Sequence, residues 1–466
     1  MAHLAVRYRR GGIEKGIMPK DHLDNSRGGS MNTNSATVRP ASLAYAAPGG
    51  GRVRRSAPSG GKPADTGAPH PLAAALMTIG AFLVGYQAFR LGGVNLTFSD
   101  VFFAMAFGVC LAQGQITARP FGSMTPFWLA ALAMMLTGLM IGTVINGDMI
   151  RWVVIALQYL FGFLFFPVML MGQPVSLARR LVCTFILGMV IMEIIGISVA
   201  LTMTHAEASQ IFPKEFLAGN GRMSSFATEP NWNGELIAFT GPLTLYALAK
   251  RMIPLWAFII AIGILLWGLL LSASFTGFAA FTIGMTICLL FVGIRKLVGV
   301  SALVAVGAVI FVASGAPLPS IFQERVGGAL TEGSLQNAGT YEGRVELIGQ
   351  AWDTANDTLI VGLGVEGFRK TNDIKQPVHN LPMLMLVDGG LLSFCGFVML
   401  VALMFIMPLR KMGTNRLEAG AVFAVATVFI IYTQALPHMF SRLNIVPPML
   451  ALMLLYARPD GLIRRS

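Results

Sequence analysis

The chain has 466 residues, of which 55% are hydrophobic and only 12% charged, with a mean hydropathy of +0.68. Soluble domains carry roughly 25% charged residues, so these proportions exclude a soluble enzyme, a disordered chain and a secreted disulfide scaffold, and predict a polytopic membrane protein. The formal net charge is +12 and the pI about 9.9, which in a membrane protein makes the location of the charge the first question.

Residues 1–71 are rich in Gly, Ser, Pro and Ala and show no apolar period. They hold eleven Lys/Arg against Glu14, Asp21, Asp24 and Asp65, a net +7 that accounts for more than half of the total. Such a segment cannot bury enough apolar surface to offset its chain entropy, so a disordered basic cytoplasmic tail is expected. Contact with anionic lipid headgroups is one reading of its charge; a solvated tail that only biases topology is the simpler one. Its charged start is not followed closely by an apolar core, so no signal peptide is expected.

A spanning helix needs about 20 mostly apolar residues. Such runs lie near 72–90, 97–113, 126–145, 150–171, 181–203, 233–249, 253–271, 276–294, 298–315, 388–409, 419–436 and 443–457. The weakest are the second and the last, which contains Pro447 and Pro448. With the tail inside, the inner connections carry Arg119; Arg179 and Arg180; Lys250 and Arg251; Arg295 and Lys296; and Arg410, Lys411 and Arg416. Arg458, Arg464 and Arg465 follow the last run. Positive residues mark cytoplasmic loops, so both termini are expected in the cytoplasm. The predicted fold is an all-α polytopic membrane protein of about 12 transmembrane helices. Spans 1–9 occupy 72–315, with an outer loop at 204–232. A large outer loop at 316–378 separates the ninth and tenth spans, spans 10–12 occupy 379–457, and 458–466 form a cytoplasmic tail.

The outer loops run against the overall charge. The large one holds five basic and eight acidic residues, a net −3; the shorter one has Lys214 and Arg222 against Glu207, Glu215 and Glu229. An arginine that binds an anion there must do so by placement. Arg344 opens a stretch with apolar residues at Leu347, Ile348, Ala351, Trp352 and Ala355, which is helical spacing. It would occupy the first turn of an amphipathic helix over the membrane domain, where a guanidinium fork suits phosphate oxygens or simply snorkels to headgroups. Arg222 lies in a Gly-rich polar stretch, 219–233, that runs into the sixth span, and is a second candidate phosphate clamp.

The four cysteines, Cys110, Cys183, Cys288 and Cys395, sit apart in apolar runs and read as packing residues; no disulfide and no zinc site is expected. Of the six histidines, His3, His22 and His70 lie in the tail, and His205 and His438 read as structural. His379 differs. It stands in Val378-His379-Asn380, where the large loop enters an apolar run. There a neutral imidazole could take a proton from the polar head of an amphiphilic substrate. The glycine-rich segment with Gly362, Gly364 and Gly367 follows no strand–helix unit and reads as a tight turn packing the loop onto the helices.

Together these residues resemble the O-antigen ligase/polymerase superfamily, bacterial polytopic membrane proteins acting on lipid-linked sugars at the periplasmic face. The ligase pattern of His, Asn/Ser/Gln, nine residues, Gly, two residues and Gly/Thr/Tyr is met by His379, Asn380 and Gly390, with Ser393 at the last position. An Arg-x-x-x-Leu motif is met at Arg344 with Ile348 in place of Leu, and a Gly-Arg…Pro-Asn stretch by Gly221, Arg222, Pro230 and Asn231. A Ser-x-Ser-Arg-Gly-like turn reads Ser272-Ala-Ser274-Phe275-Thr276-Gly277 without its arginine and carries no expected role. The matching stretch runs from about 219 to 395.

The resemblance implies a glycosyltransferase of the bacterial inner membrane with its active site on the periplasmic side. The donor would be a saccharide on undecaprenyl diphosphate and the acceptor a sugar hydroxyl. The chemistry would be inverting and metal-independent, with no cofactor and no nucleic acid. His379 would act as base on the acceptor hydroxyl or orient it, while Arg344 and Arg222 would bind the diphosphate and stabilise its growing charge. Asn380, Glu229, Asn231 and Arg369 complete the expected substrate-binding set. The imperfect ligase motif and the extended basic N-terminus favour a polymerase of exopolysaccharide or O-antigen repeat units. The alternative is a ligase passing the glycan to lipid A-core. Other polysaccharide assembly and export proteins are candidate partners. A transporter or flippase is a more distant alternative: twelve spans suit it, and Glu193 lies deep in a span. No internal repeat is visible, and the polar residues concentrate in two outer loops, which favours an enzyme.

Overall fold

The computed structural model describes residues 69–91, 96–213, 215–293, 299, 313, 318–323, 341–437 and 441–461. The basic segment 1–68, nearly all of the expected ninth span near 298–315, residues 324–340 of the large loop, and His438 lie outside them. The described residues form a helical bundle. Its helices are α1 (Pro71–Phe82), α2 (Phe98–Ala112), α3 (Thr125–Asn146), α4 (Met149–Leu170), α5 (Val175–Thr202), α6 (His205–Ile211), α7 (Pro230–Ala249), α8 (Leu255–Ser272), α9 (Phe275–Val292), α10 (Tyr341–Thr358), α11 (Gly367–Thr371), α12 (Leu381–Lys411), α13 (Arg416–Thr433) and α14 (Arg442–Tyr456). A two-stranded antiparallel hairpin pairs β1 (Arg90–Leu91) with β2 (Leu96–Thr97) between the first two helices.

Among the described residues, seven helices are long and apolar enough to cross a membrane: α3, with the turn before it, α4, α5, α8, α9, α12 and α13. Three apolar helices are shorter, at Pro71–Gly85, Phe98–Ala112 and Arg442–Tyr456. The sixth expected run forms α7, whose polar residues Asn233, Glu235, Thr240 and Thr244 are all buried inside the protein. α7 and α14 are the interior helices, buried along nearly their whole length; Pro447 and Pro448 remain within α14.

Burying polar groups at this depth demands partners, and the interior supplies them in pairs. Asp100 and Thr97 form a capping box at the start of α2. The same Asp100 carboxylate pairs with Arg442 at the start of α14, both side chains being 3% exposed. Arg442 also reaches the Gln158 carbonyl at 3.4 Å and lies over the Phe161 ring. It therefore docks where α4 widens into a π-turn at Phe161–Phe165, whose Phe163 carbonyl accepts from the Trp128 indole at 2.6 Å. Glu193 faces Asn233 at 3.5 Å in the gap left by Gly268. Asn444, with its amide nitrogen turned to the carboxylate, donates to Glu235 at 2.5 and 2.8 Å.

α3 and α12 approach closely because Gly138 and Gly142, four residues apart, face the kinked backbone of α12. The kink is at Gly390 (φ 66°, ψ −173°), a conformation that suits glycine. It opens the helix, and the glycine-rich segment of the large loop occupies the opening. Leu363 N donates to Val387 O at 2.9 Å, Gly364 N to Asp388 O at 2.8 Å and Leu391 N to Leu359 O at 2.8 Å. Asp388 accepts from the Glu366 and Phe368 amides, and Thr143 from the Val365 amide. The expected tight turn is thus found, and it packs the loop onto α12 and α3.

Among the described residues, the basic connections gather at one end. Lys250 pairs with Glu418 at 2.6 Å, Lys411 lies 3.5 Å over Tyr456, and Val175 N donates to Arg458 O. The opposite end carries residues 204–232, α10 and 359–380. Replacing only Asp100 by Leu strands a buried guanidinium and should cost about 3–5 kcal/mol, while the Asp100→Leu, Arg442→Met double change should cost far less. Unfolding of the purified protein in detergent checks this; equal losses would show that the two side chains do not act as a pair.

Candidate active site

The end opposite the basic connections assembles its polar residues around a turn. Between α8 and α9 the chain reverses at Ala273 in the left-handed conformation (φ 46°), and Ser274 caps α9 by accepting from Gly277 N at 3.2 Å. This turn receives Arg222, which is 6% exposed. Arg222 Nε donates to Ser272 O at 2.8 Å and its Nη2 to Asn231 Oδ1 at 2.8 Å. Ser274 Oγ donates to the same Asn231 oxygen at 3.3 Å, and Asn231 Nδ2 donates to Glu229 Oε1 at 3.1 Å. The fork of Arg222 is therefore aimed by a backbone carbonyl and an amide, which are themselves fixed by the ends of α8, α9 and α7. The Ser272-Ala-Ser274 turn, to which the sequence assigned no role, is the socket of Arg222.

Glu229 is the N-cap residue of α7, yet its side chain makes no capping bond; Thr228 before it is left-handed (φ 70°). Burial pushes the Glu229 carboxyl above its ordinary range, against the opposing pull of Asn231, Arg222 and Arg344. Arg344 arrives from α10. Leu347, Ala351 and Ala355 of that helix are buried and Ile348 is half-buried, as the apolar spacing predicts. Trp352 departs from the expectation: it is 56% exposed. It lies about 100° round the helix from Ala351, at the edge of the buried face. Arg344 is half-buried on α10 and close enough to shift both Glu229 and His379 electrostatically.

His379 stands two residues before α12, and its Nδ1 is buried with no hydrogen-bond partner among the described residues. Burial, and then the charge of Arg344, push its imidazole down to about 4. It is neutral at any pH near neutrality. Arg222, Glu229, Asn231, Arg344 and His379, supplied by segments far apart in sequence, thus form one electrostatic group.

Two expected residues are engaged elsewhere. Asn380 caps α12 through Met383 N at 2.9 Å and ties to Gln434 Oε1 at 2.9 Å. Its partners are thus α12 and α13. Arg369 contacts Glu366 at 4.0 Å and the Lys375 carbonyl, and Glu366 itself pairs with Arg151 at 2.6 Å. His205 is structural, with Nδ1 2.6 Å from the Leu217 carbonyl. One residue went unnoticed in the sequence: Arg90, on the β1–β2 hairpin, lies 5.4 Å over the ring of Trp232, the neighbour of Asn231. Its signal was available, because Arg90, like Arg222 and Arg344, is a basic residue on the side where acidic ones prevail.

Removing the Arg344 charge should raise the His379 pKa from about 4, because a nearby cation disfavours the imidazolium. The rise should stop short of the free value of about 6.5, since burial remains. The pH dependence of histidine modification in Arg344→Gln, measured against an Arg344→Gln, His379→Gln control, checks this; an unchanged midpoint would place the two groups out of electrostatic reach.

Residues 257–398 match a family model described as O-Antigen ligase. No curated protein matches the chain. The matched stretch takes in the α8–α9 turn, α10 with Arg344, and the start of α12 with His379, while the segment carrying Arg222 and Glu229 precedes it. On this match residues 257–398 are similar to an O-antigen ligase family domain, which supports the likeness to the O-antigen ligase/polymerase superfamily.

Proposed function

We propose that the protein is a glycosyltransferase of the bacterial inner membrane that polymerises undecaprenyl-diphosphate-linked saccharide at the periplasmic face. The observation that carries this reading is the meeting of Arg222, Arg344, Glu229 and His379 at one end of the bundle, opposite the basic connections. Positive residues mark the cytoplasmic side, so the site end is periplasmic, both termini are cytoplasmic, and the chain crosses about twelve times.

A lipid-linked donor reaches such a site laterally, and only its polar head enters. Arg344 and Arg222 hold the diphosphate; a planar guanidinium keeps its charge and offers paired donors to phosphate oxygens. As the glycosyl–oxygen bond breaks, negative charge grows on the leaving diphosphate. Fixed donors in a water-poor setting stabilise that charge more than they stabilise the ground state. His379, neutral and beside Arg344, meets the acceptor hydroxyl and orients it for attack with inversion. Asn231 holds Arg222 and Glu229 in place. No step calls for a metal. The second reading is a ligase that passes the finished glycan to lipid A-core; the description of the matched family as a ligase favours it. The lipopolysaccharide and free polymer of a deletion strain separate the two.

Turnover of a lipid-linked oligosaccharide by the purified protein is the direct test, and failure to consume it would refute the reading. His379→Ala should abolish polymer production at an unchanged protein level; normal polymer would sink the role of His379. Arg222→Lys and Arg344→Lys keep the charge and lose the fork, so each should lower kcat by about 10–100-fold, a loss of about 1.4–2.7 kcal/mol of transition-state stabilisation. Full activity in both would refute the clamp.

A further inference from the structure

Glycosyl transfer to a hydroxyl releases a proton, and two groups at the site could accept it. They respond to the same burial in opposite directions. Burial disfavours the charged form of each: the His379 imidazole is pushed down, to about 4, and the Glu229 carboxyl is pushed up. The imidazole is thereby made a poor proton acceptor and the carboxylate a better one. A general base works best with a pKa near the operating pH.

The geometry singles out the same group. Glu229 is half-buried, and its side chain is not spent on capping α7. Asn231 fixes Oε1, while Oε2 accepts from none of the described residues. The left-handed Thr228 immediately before it turns the chain into α7 at this point. Strain of this kind concentrates at functional sites. The charged and titratable groups facing Glu229 are Arg222 from the 219–232 segment, Arg344 from α10, Glu235 from α7 itself and Tyr432 from α13. Both proposed diphosphate clamps therefore flank it.

We propose that the Glu229 carboxylate, rather than the His379 imidazole, accepts the proton of the acceptor hydroxyl. The inference rests on the glycosyltransferase reading above. The acceptor oxygen forms the bond to the anomeric carbon as the bond from that carbon to the diphosphate oxygen breaks. The electron pair of the broken bond stays on the diphosphate. The hydroxyl proton passes to Glu229 Oε2 and from there to the aqueous phase. His379 is then a hydrogen-bonding partner that aligns the hydroxyl, and its low basicity keeps it in the neutral form that alignment needs.

The test uses the full chain in lipid nanodiscs with an undecaprenyl-diphosphate-linked oligosaccharide, following kcat, donor KM and their pH dependence. Wild-type protein with no turnover sinks the glycosyltransferase reading itself; every other outcome bears on Glu229 alone. Glu229→Gln is expected to lower kcat about 10²–10⁴-fold, the range for loss of a general base, with donor KM within a few-fold of wild type. It should also remove the acid limb of the kcat profile, whereas His379→Gln, though slower, should keep that limb. Added formate should partly restore Glu229→Ala by supplying a carboxylate. The proposal is overturned if Glu229→Gln keeps kcat within threefold of wild type, or if His379→Gln is the variant that loses the acid limb. It is equally overturned if the Glu229 variants lose donor binding, or if formate restores nothing to a folded, donor-binding Glu229→Ala.

Discussion

Every polar group buried at membrane depth in this protein must find its partner inside the protein, and that constraint fixes the candidate site. The clearest instance is the break in α12 at Gly390. A helix opened in an apolar medium leaves amides and carbonyls that no solvent can satisfy. The glycine-rich segment 359–368 satisfies them by backbone bonding to Val387, Asp388 and Leu391, and Asp388 in turn caps the Glu366 and Phe368 amides. The large loop is thereby sewn to the membrane helices. α10 precedes the stitched segment and His379 follows it, so the same bonds hold Arg344 and His379 over one end of the bundle.

The second half of the site obeys the same rule. Arg222 enters a nearly dry position, and its guanidinium is satisfied by Ser272 O and Asn231. The turn between α8 and α9 does two jobs: Ser274 caps α9 and holds Asn231. A cation oriented in this way costs little reorganisation when an anion arrives, which is how preorganised electrostatic sites act. The burial that orients the arginines also separates the two proton acceptors, raising Glu229 and depressing His379.

Deeper in the bundle, charges that suggest transport when read singly are matched within the protein. Glu193 meets Asn233 through one of its oxygens, Glu235 meets Asn444, and Asp100 meets Arg442. They join α7 and α14, the two interior helices, to their neighbours.

Much was legible in the sequence because membranes impose one-dimensional rules. Apolar length marks α3, α4, α5, α8, α9, α12 and α13 as spans, and basic residues mark one end of the bundle. Arg222, Arg344 and His379 stand out because they oppose those trends on the acidic side. Helical spacing placed Leu347, Ala351 and Ala355 on the buried face of α10. What a single sequence does not encode locally is which hydrogen-bonding partner each polar group takes across the bundle. Asn380 could not be known to bond Gln434 at the end of α13, nor Glu366 to pair with Arg151 of α4. The Ser272–Ser274 turn looked inert because its role is to receive an arginine fifty residues upstream. The sequence by itself determined the helical membrane class, the two-ended distribution of charge and the identity of the unusual arginines and histidine. Only the tertiary structure decided that those residues meet and which of them are held, because pairing at membrane depth is settled by three-dimensional proximity among segments with no sequential relation.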